Sequence, residues 1–310
     1  MHNLKSDDLS MNSSFDLKTY LEGRRKLVDE WLKENLPRPV GPHSLVIEAM
    51  RYSALSKGKR IRPILLMAAA DAVGGDGTKF LPQASALECI HAYSLIHDDL
   101  PAMDDDDLRR GVPTCHKAFG EAMAILAGDA LLNYAFEILS SPSHSKGLDP
   151  ETVISVIGTI GHASGINGMV GGQAADVLME GKEVDEETLR FIHVHKTGAL
   201  IKAAIKAGAI LGGADPIQLE RMEEFGYHLG LLFQIKDDLL DVEGDEKRLG
   251  KRTKKDAEKK KATYPALFGI ERTKQMGQEI LKEAIDALSI FGPEADALRS
   301  VANYVVRRSR

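Results

Sequence analysis

A chain of 310 residues can bury a large core, and length alone would permit two domains. Its two cysteines, Cys89 and Cys115, exclude a disulfide framework and fit a reducing compartment. With a net charge of -6 no nucleic-acid partner is expected, and no apolar stretch reads as long enough to span a bilayer.

Residues Met1 to Ser14 are polar and poor in helix formers; they are expected to be a flexible extension, with Met11 nearer the true start, outside a domain of residues 15–310. Beyond them, alternation of period two is almost absent and apolar residues recur at helical spacing, first from Leu17 to Leu36. Pro63 suits the first turn of a helix that Gly74-Gly75 ends. An apolar run from Cys89 to Ile96 leads into Asp98-Asp99-Leu100-Pro101-Ala102-Met103-Asp104. The helical pattern resumes from Ala118 to Leu139, and Ser140 to Pro150 reads as a loop between helices. Val153 to Ile160 has the β-branched content of a strand, yet a helix through Val170 agrees with its neighbours. Asp185 is the expected N-cap of Glu186 to Leu211, and Gly212-Gly213 its stop. Ile217 to Leu239 is the next helical segment and runs into Asp237-Asp238-Leu239-Leu240-Asp241. The expected fold is all-α, and a single domain, because the two acidic clusters lie in opposite halves and must converge.

Carboxylates at the C-terminal ends of apolar helices are costly unless a cation or a donor balances them. Asp237 and Asp241 are four residues apart and share a helix face, with Asp238 beside them, which makes one face of a divalent-metal site. Asp98 and Asp104 are six apart, and a regular helix would turn them roughly 240° from each other. Pro101 breaks that helix and disfavours helical geometry at Leu100, so the chain can loop out and bring Asp104 back beside Asp98. Oxygen ligands from two facing helices suit Mg²⁺, which takes few carboxylates and leaves its other positions to water and phosphate oxygens. The expected substrate therefore carries phosphate.

Other clusters read as structure. Asp105, Asp106 and Asp107 are expected to be solvated loop acids, and His97 to support Asp98 rather than bind metal. His193 and His195 face apart on a helix, Cys115-His116 lacks further ligands, and no strand precedes Gly171-Gly172. The run Lys247 to Lys261 could pass for a nucleic-acid patch, but it is expected to be a solvated loop and helix start from which Lys251 reaches a substrate.

An ordered set of segments makes the chain resemble the trans-prenyltransferases, the short-chain isoprenyl diphosphate synthases, and most closely the bacterial farnesyl diphosphate synthases. The segments are Gly58-Lys59-Arg60-Ile61-Arg62-Pro63, His91 to His97 with the first acidic cluster and Leu108-Arg109-Arg110-Gly111, Gly172 to Asp176, Lys196-Thr197-Gly198, and Phe233-Gln234-Ile235-Lys236 before the second cluster. The resemblance covers the chain from about Phe15 onward.

It implies the isoprenoid synthase fold, a helical bundle around a deep central cavity. The implied reaction is head-to-tail condensation of isopentenyl diphosphate with dimethylallyl or geranyl diphosphate, giving farnesyl diphosphate and diphosphate. By the same resemblance, about three Mg²⁺ (Mn²⁺ can substitute) are held by Asp98, Asp104 and Asp237 with help from Asp99, Asp238 and Asp241. Arg109, Lys196 and Lys251 would complete the shell of the allylic diphosphate. Lys59, Arg62, His91 and Arg110 would grip isopentenyl diphosphate without metal. Thr197, Gln234 and the backbone around Lys196 would shelter the allylic cation, and the departing diphosphate would take the final proton. Tyr93, with Ser94 too small to help, would floor the tail cavity and stop the product at C15. Geranylgeranyl diphosphate, C20, is the alternative product. A terpene cyclase has no use for the Lys59, Arg62, His91 pocket, and a non-catalytic subunit of a heteromeric synthase would be expected to have lost metal aspartates. The family further implies a homodimer, for which the apolar helix faces between Phe119 and Val170 speak; the cysteine usage and the N-terminus without a signal-peptide pattern make a soluble, cytoplasmic protein the expectation. One departure is Lys251-Arg252-Thr253-Lys254-Lys255-Asp256, where the family's lid loop usually has glycine after Lys-Thr-Ala.

Overall fold

A computed structural model describes residues 15–243 and 263–308. Its helices are α1 (Leu17–Asn35), α2 (Ser44–Ala54), α3 (Ile61–Ala72), α4 (Leu81–Asp98), α5 (Cys115–Phe119), α6 (Glu121–Ser140), α7 (Pro150–Ser164), α8 (Met169–Met179), α9 (Glu186–Ile192), α10 (Ala199–Gly212), α11 (Pro216–Glu243), α12 (Tyr264–Phe268), α13 (Ile270–Ala287) and α14 (Asp296–Arg307). Short polar side chains start several of them: Asp16, Asp149 and Asp185 each accept from the backbone N–H three residues on. Gly213, in the left-handed region at φ 85°, stops α10 as its sequence indicates.

The all-α expectation holds. One continuous core runs from Val28 on α1 to Val305 on α14. α3, buried on nearly every side from Pro63 to Ala70, packs on α10, and α4 packs on α6. A smaller cluster, Leu189, Ile235, Leu239 and Tyr264, lies under α12.

The structure redraws four sequence readings. The Ala118 to Leu139 pattern is split at Gly120, whose φ of 85° no helix interior tolerates, into α5 and α6. The Val153 to Val170 segment is helical, but α7 ends at Ser164 and α8 begins only at Met169. A two-stranded ribbon, Leu108–Arg109 with Val112–Pro113, was not apparent; Arg110 (φ 54°) and Gly111 (φ 81°) occupy the two left-handed positions of its tight turn. Finally, α6 and the Pro150–Met179 stretch are, by length and composition, apolar enough to cross a membrane, contrary to the expectation above. Ala124, Ala127, Leu131 and Ala135 of α6 face the core, whereas Ile125 and Leu126 on α6 and Ile154 on α7 are exposed.

An ionic staple gathers α1, α2, α3 and α4. Arg60, the left-handed residue before α3, is almost fully buried; it donates to Asp29 (2.8 Å), Glu88 (2.6 Å) and the Ser56 carbonyl (2.7 Å). Removing one partner of such a buried pair strands the other, which costs about 3–5 kcal/mol. Arg60→Ala should therefore lower the urea unfolding free energy by about 3 kcal/mol; a loss within about 1 kcal/mol would show that Glu88 finds a new partner or water.

Candidate active site

α4 ends at Asp98, and Pro101 turns the chain outward as expected. The loop closes on its own backbone: Asp104 N–H donates to the Asp98 carbonyl (2.8 Å), and Asp106 N–H to that of Asp99 (3.2 Å). Asp104 thus returns beside Asp98. Burial raises the Asp98 carboxyl above its ordinary range; Lys196 opposes that rise and Asp104 adds to it. Asp99 is engaged by protein: Arg109 spans both its oxygens at 2.6–2.9 Å. That fork fixes the ribbon carrying Arg109 to the end of α4.

Asp237, Asp238 and Asp241 lie in the last turns of α11. Asp237 is half-buried and accepts from Arg308 Nη2 at 2.7 Å. Asp238 turns inward, where Gln234 Nε2 and the Tyr264 N–H, each at 2.9 Å, hold its two oxygens, and His193 Nε2 stands 3.8 Å away. Asp241 is buried as well.

Between α9 and α10 the chain widens into a π turn, His193–Gly198, the kink expected around Lys196-Thr197-Gly198. α8 comes so close to it that a Cβ on Gly172 would lie 2.1 Å from the Lys196 nitrogen. From α8, Asp176 holds Lys196 Nζ at 2.6 Å, which gives the Gly172 to Asp176 segment a structural purpose. Thr197 Oγ1 donates to Gln234 Oε1 at 2.9 Å, so that pair and Asp238 form one chain of hydrogen bonds. His193 is buried and driven down to about 3, hence neutral, while His195 stacks on Phe191 at 4.0 Å. The two imidazoles part, as their spacing indicates.

A cavity of about 1080 Å³ opens beside Asp237, lined by Lys59, Arg62, His91 and Arg110 together with Thr197. The four cationic or imidazole residues that the sequence groups are thus brought together. Burial, then the charges of Arg62 and Arg110, push His91 well below its ordinary range and keep it neutral. Arg110 is tied to the Lys57 carbonyl at 2.5 Å, and Arg62 Nε has no protein partner.

Three residues of the site escaped the sequence reading. Glu88 sits one turn before His91 on α4, buried in the same cavity wall and paired with Arg60; its signal was a lone acid in an apolar run. Arg60 had none beyond its motif, and Arg308 none at all. Tyr93 lies in the core rather than in that cavity's wall. Its hydroxyl has no protein partner, burial and then Asp98 raise it to about 12, and its ring meets His97 edge-on at 5.8 Å. Ser94 bonds back to the His91 carbonyl. His97 does not support Asp98: its Nε2 lies 3.1 Å from the Ile125 carbonyl. Asp105 and Asp107 are exposed, as expected of loop acids. Lys251, the rest of Lys247 to Lys261 and the first 14 residues lie outside the described residues.

Among the described residues no three His, Cys, Asp or Glu side chains converge on one point. Mg²⁺ does not need such a cage, since one or two carboxylates suffice when substrate phosphates supply other oxygens. A partly buried Asp98 raised by its surroundings and by Asp104 is the kind of group a cation relieves, so the donor set fits.

An all-α bundle thus presents an acid-bearing helix end at Asp98 and Asp104, and a second at Asp237 on an arginine-lined cavity. The polyprenyl synthetase family matches residues 43–296, and the chain belongs to it. A farnesyl diphosphate synthase of Geobacillus stearothermophilus is 47% identical over 263 residues, 85% of this chain and 88% of that protein. The heterodimeric geranylgeranyl pyrophosphate synthase large subunit 1 of Arabidopsis thaliana chloroplasts is 45% identical over 312 residues, 98% of this chain and 83% of that one. The apo crystal structure of an FPP/GFPP synthase from Zymomonas mobilis superposes with a TM-score of 0.85 at 44% identity, covering 93% and 98% of the two chains. The protein is a trans-prenyl synthase that condenses isopentenyl diphosphate with allylic diphosphates, of a family that generally uses Mg²⁺.

A carboxylate raised in the folded chain destabilises that chain at neutral pH, because the unfolded state ionises more easily. Asp98→Ala should therefore abolish turnover while leaving metal-free thermal stability equal or higher, and Asp237→Ala should abolish turnover too. Substantial Mg²⁺-dependent activity in either variant would remove that acid from the site.

Proposed function

We propose that the product is farnesyl diphosphate, made by adding isopentenyl diphosphate to dimethylallyl and then geranyl diphosphate. The observation that carries the choice is Tyr93, a bulky ring five residues before Asp98, buried in the core yet close enough to feel the Asp98 charge. A tail growing away from the acids along α4 would meet that ring about 7.5 Å back along the helix axis.

In this reading residues 15–310 act as one domain. Asp98, Asp104 and Asp237, with Asp241 nearby, would hold the metals, whose charge when bound would supply electrophilic pull on the allylic diphosphate. Asp99 and Asp238 act through their partners: Asp99 aims Arg109, and Asp238 fixes Gln234. Lys196, steadied by Asp176, adds its charge to the leaving group, and Lys251 is assigned to the same diphosphate. Lys59, Arg62, Arg110 and neutral His91 take isopentenyl diphosphate, the arginines by bidentate forks. As the allylic C–O bond breaks, the fixed charges of Arg109, Lys196 and Lys251 stabilise the departing diphosphate without reorganising. The allylic cation then lies by Thr197 and Gln234, whose oxygens present partial negative charge; the isopentenyl double bond attacks, and the diphosphate takes the proton.

Chain length has a second reading, since the relatives include both farnesyl and geranylgeranyl synthases. The exposed Ile125, Leu126, Ile154, Ile166 and Val170 support a homodimer through α6 and α7. Two buried free thiols support a reducing, cytoplasmic setting.

Product-length analysis with isopentenyl and geranyl diphosphate and Mg²⁺ should give C15 from the native enzyme and C20 or longer from Tyr93→Ala. A native C20 product, or a Tyr93→Ala variant that still stops at C15, would put the floor elsewhere.

A further inference from the structure

Arg308 is the last described residue, yet its side chain is only 9% exposed. One nitrogen, Nη2, lies 2.7 Å from Asp237 Oδ1 and 3.3 Å from the Phe233 carbonyl, and the guanidinium sits 5.0 Å from the centre of the Phe233 ring. Its Nε is buried without a protein partner, and the residue lines the same cavity as Lys59, Arg62 and His91. A permanent cation therefore stands on the border between the acids and the arginines, using an acid that the reading above assigns to metal.

Guanidinium and divalent cation compete for that oxygen. Mg²⁺ binds carboxylate at about 2.0–2.1 Å and would face an adjacent positive charge that cannot be deprotonated. Asp237 also serves the cavity electrostatically, because its charge favours protonated Arg62 as well. When metal claims Asp237, Arg62 and Arg308 lose that counter-charge, and a crowd of cations in a partly desolvated cavity is costly until an anion enters.

We propose that Arg308 is an internal stand-in for the metal at Asp237, exchanged for Mg²⁺ on loading, and that the exchange couples the two pockets. Metal at Asp237 frees the guanidinium to turn its unpartnered Nε and released Nη2 toward a diphosphate held by Lys59, Arg62 and Arg110. Metal binding in one pocket thereby tightens anion binding in the other, and the reverse holds by linkage. The inference rests on Asp237 being a metal ligand, but it adds a competitor and a direction of coupling that this role alone does not require.

Calorimetric titration of the substrate-free protein with Mg²⁺ tests the first half. Arg308→Gln should bind Mg²⁺ about five-fold or more tightly than the native chain, the lower end of typical site coupling. Affinity for isopentenyl diphosphate, measured without metal and at fixed free Mg²⁺, tests the second. The native protein should bind it more tightly with metal, and Arg308→Gln should lose most of that gain. Unchanged or weaker Mg²⁺ binding by Arg308→Gln overturns the exchange, and an equal loss of isopentenyl diphosphate affinity with and without metal makes Arg308 a plain diphosphate ligand. Asp237→Asn separates the two levels. If it leaves Mg²⁺ affinity unchanged, the metal assignment itself fails; if it weakens Mg²⁺ while Arg308→Gln is neutral, only the exchange fails.

Discussion

Negative charge held inside an apolar helical bundle must find a cation or a hydrogen-bond donor, and the organisation of this enzyme follows from how each buried or half-buried acid does so. Asp99 takes Arg109, Asp176 takes Lys196, Glu88 takes Arg60, and Asp237 takes Arg308. Asp238 is satisfied by an amide and a backbone N–H instead. Asp98, raised by burial and by Asp104, is a group that a further cation would relieve. Each pair is also a mechanical link: the ribbon is fixed to α4, α8 to the π turn, and α1 and α3 to α4. The same electrostatic need that invites metal therefore fixes the elements that present the substrate-binding side chains.

Separate equipment for two anions is the chemical consequence. Two identical metal-loaded pockets would hold either diphosphate equally, whereas an acid-rich pocket served by metal and an arginine-rich one without it discriminate by the charge each already carries. The cavity beside Asp237 is the one proposed to be of the second kind, with neutral His91 supplying polarity rather than another charge. The π turn stands at the junction of the two. Its Lys196 side chain is drawn toward Asp176 and its Thr197 toward Gln234, so consecutive residues are held by different helices, as the separate roles proposed for them require.

Much of this was legible because the decisive signals are local. A proline three residues after Asp98 forces the loop that returns Asp104, and a spacing of four sets Asp237 over Asp241. The cationic set Lys59, Arg62, His91 and Arg110 was legible only as a resemblance, since three separate segments must meet to form it. Long-range partners left no local mark. Nothing in the apolar pattern of α4 says that Arg60 comes to Glu88, nor that Arg308 folds back 71 residues onto Asp237. Asp99 and Asp238 look like their neighbours in sequence, and only packing shows them turned to Arg109 and Gln234. The break at Gly120 and the Arg110-Gly111 turn were missed for a different reason: backbone conformation at positive φ competes with side-chain periodicity, and periodicity alone does not register it.

Convergence of the two acidic helix ends on shared metal is the central claim, and anomalous scattering from crystals grown with Mn²⁺ and an unreactive allylic diphosphate analogue tests it most directly. The account expects manganese peaks within about 2.0–2.3 Å of carboxylate oxygens of Asp98 and Asp104 and, across the analogue's phosphates, of Asp237. Manganese confined to the exposed acids Asp105 and Asp107, or bound at one helix end only, would contradict it.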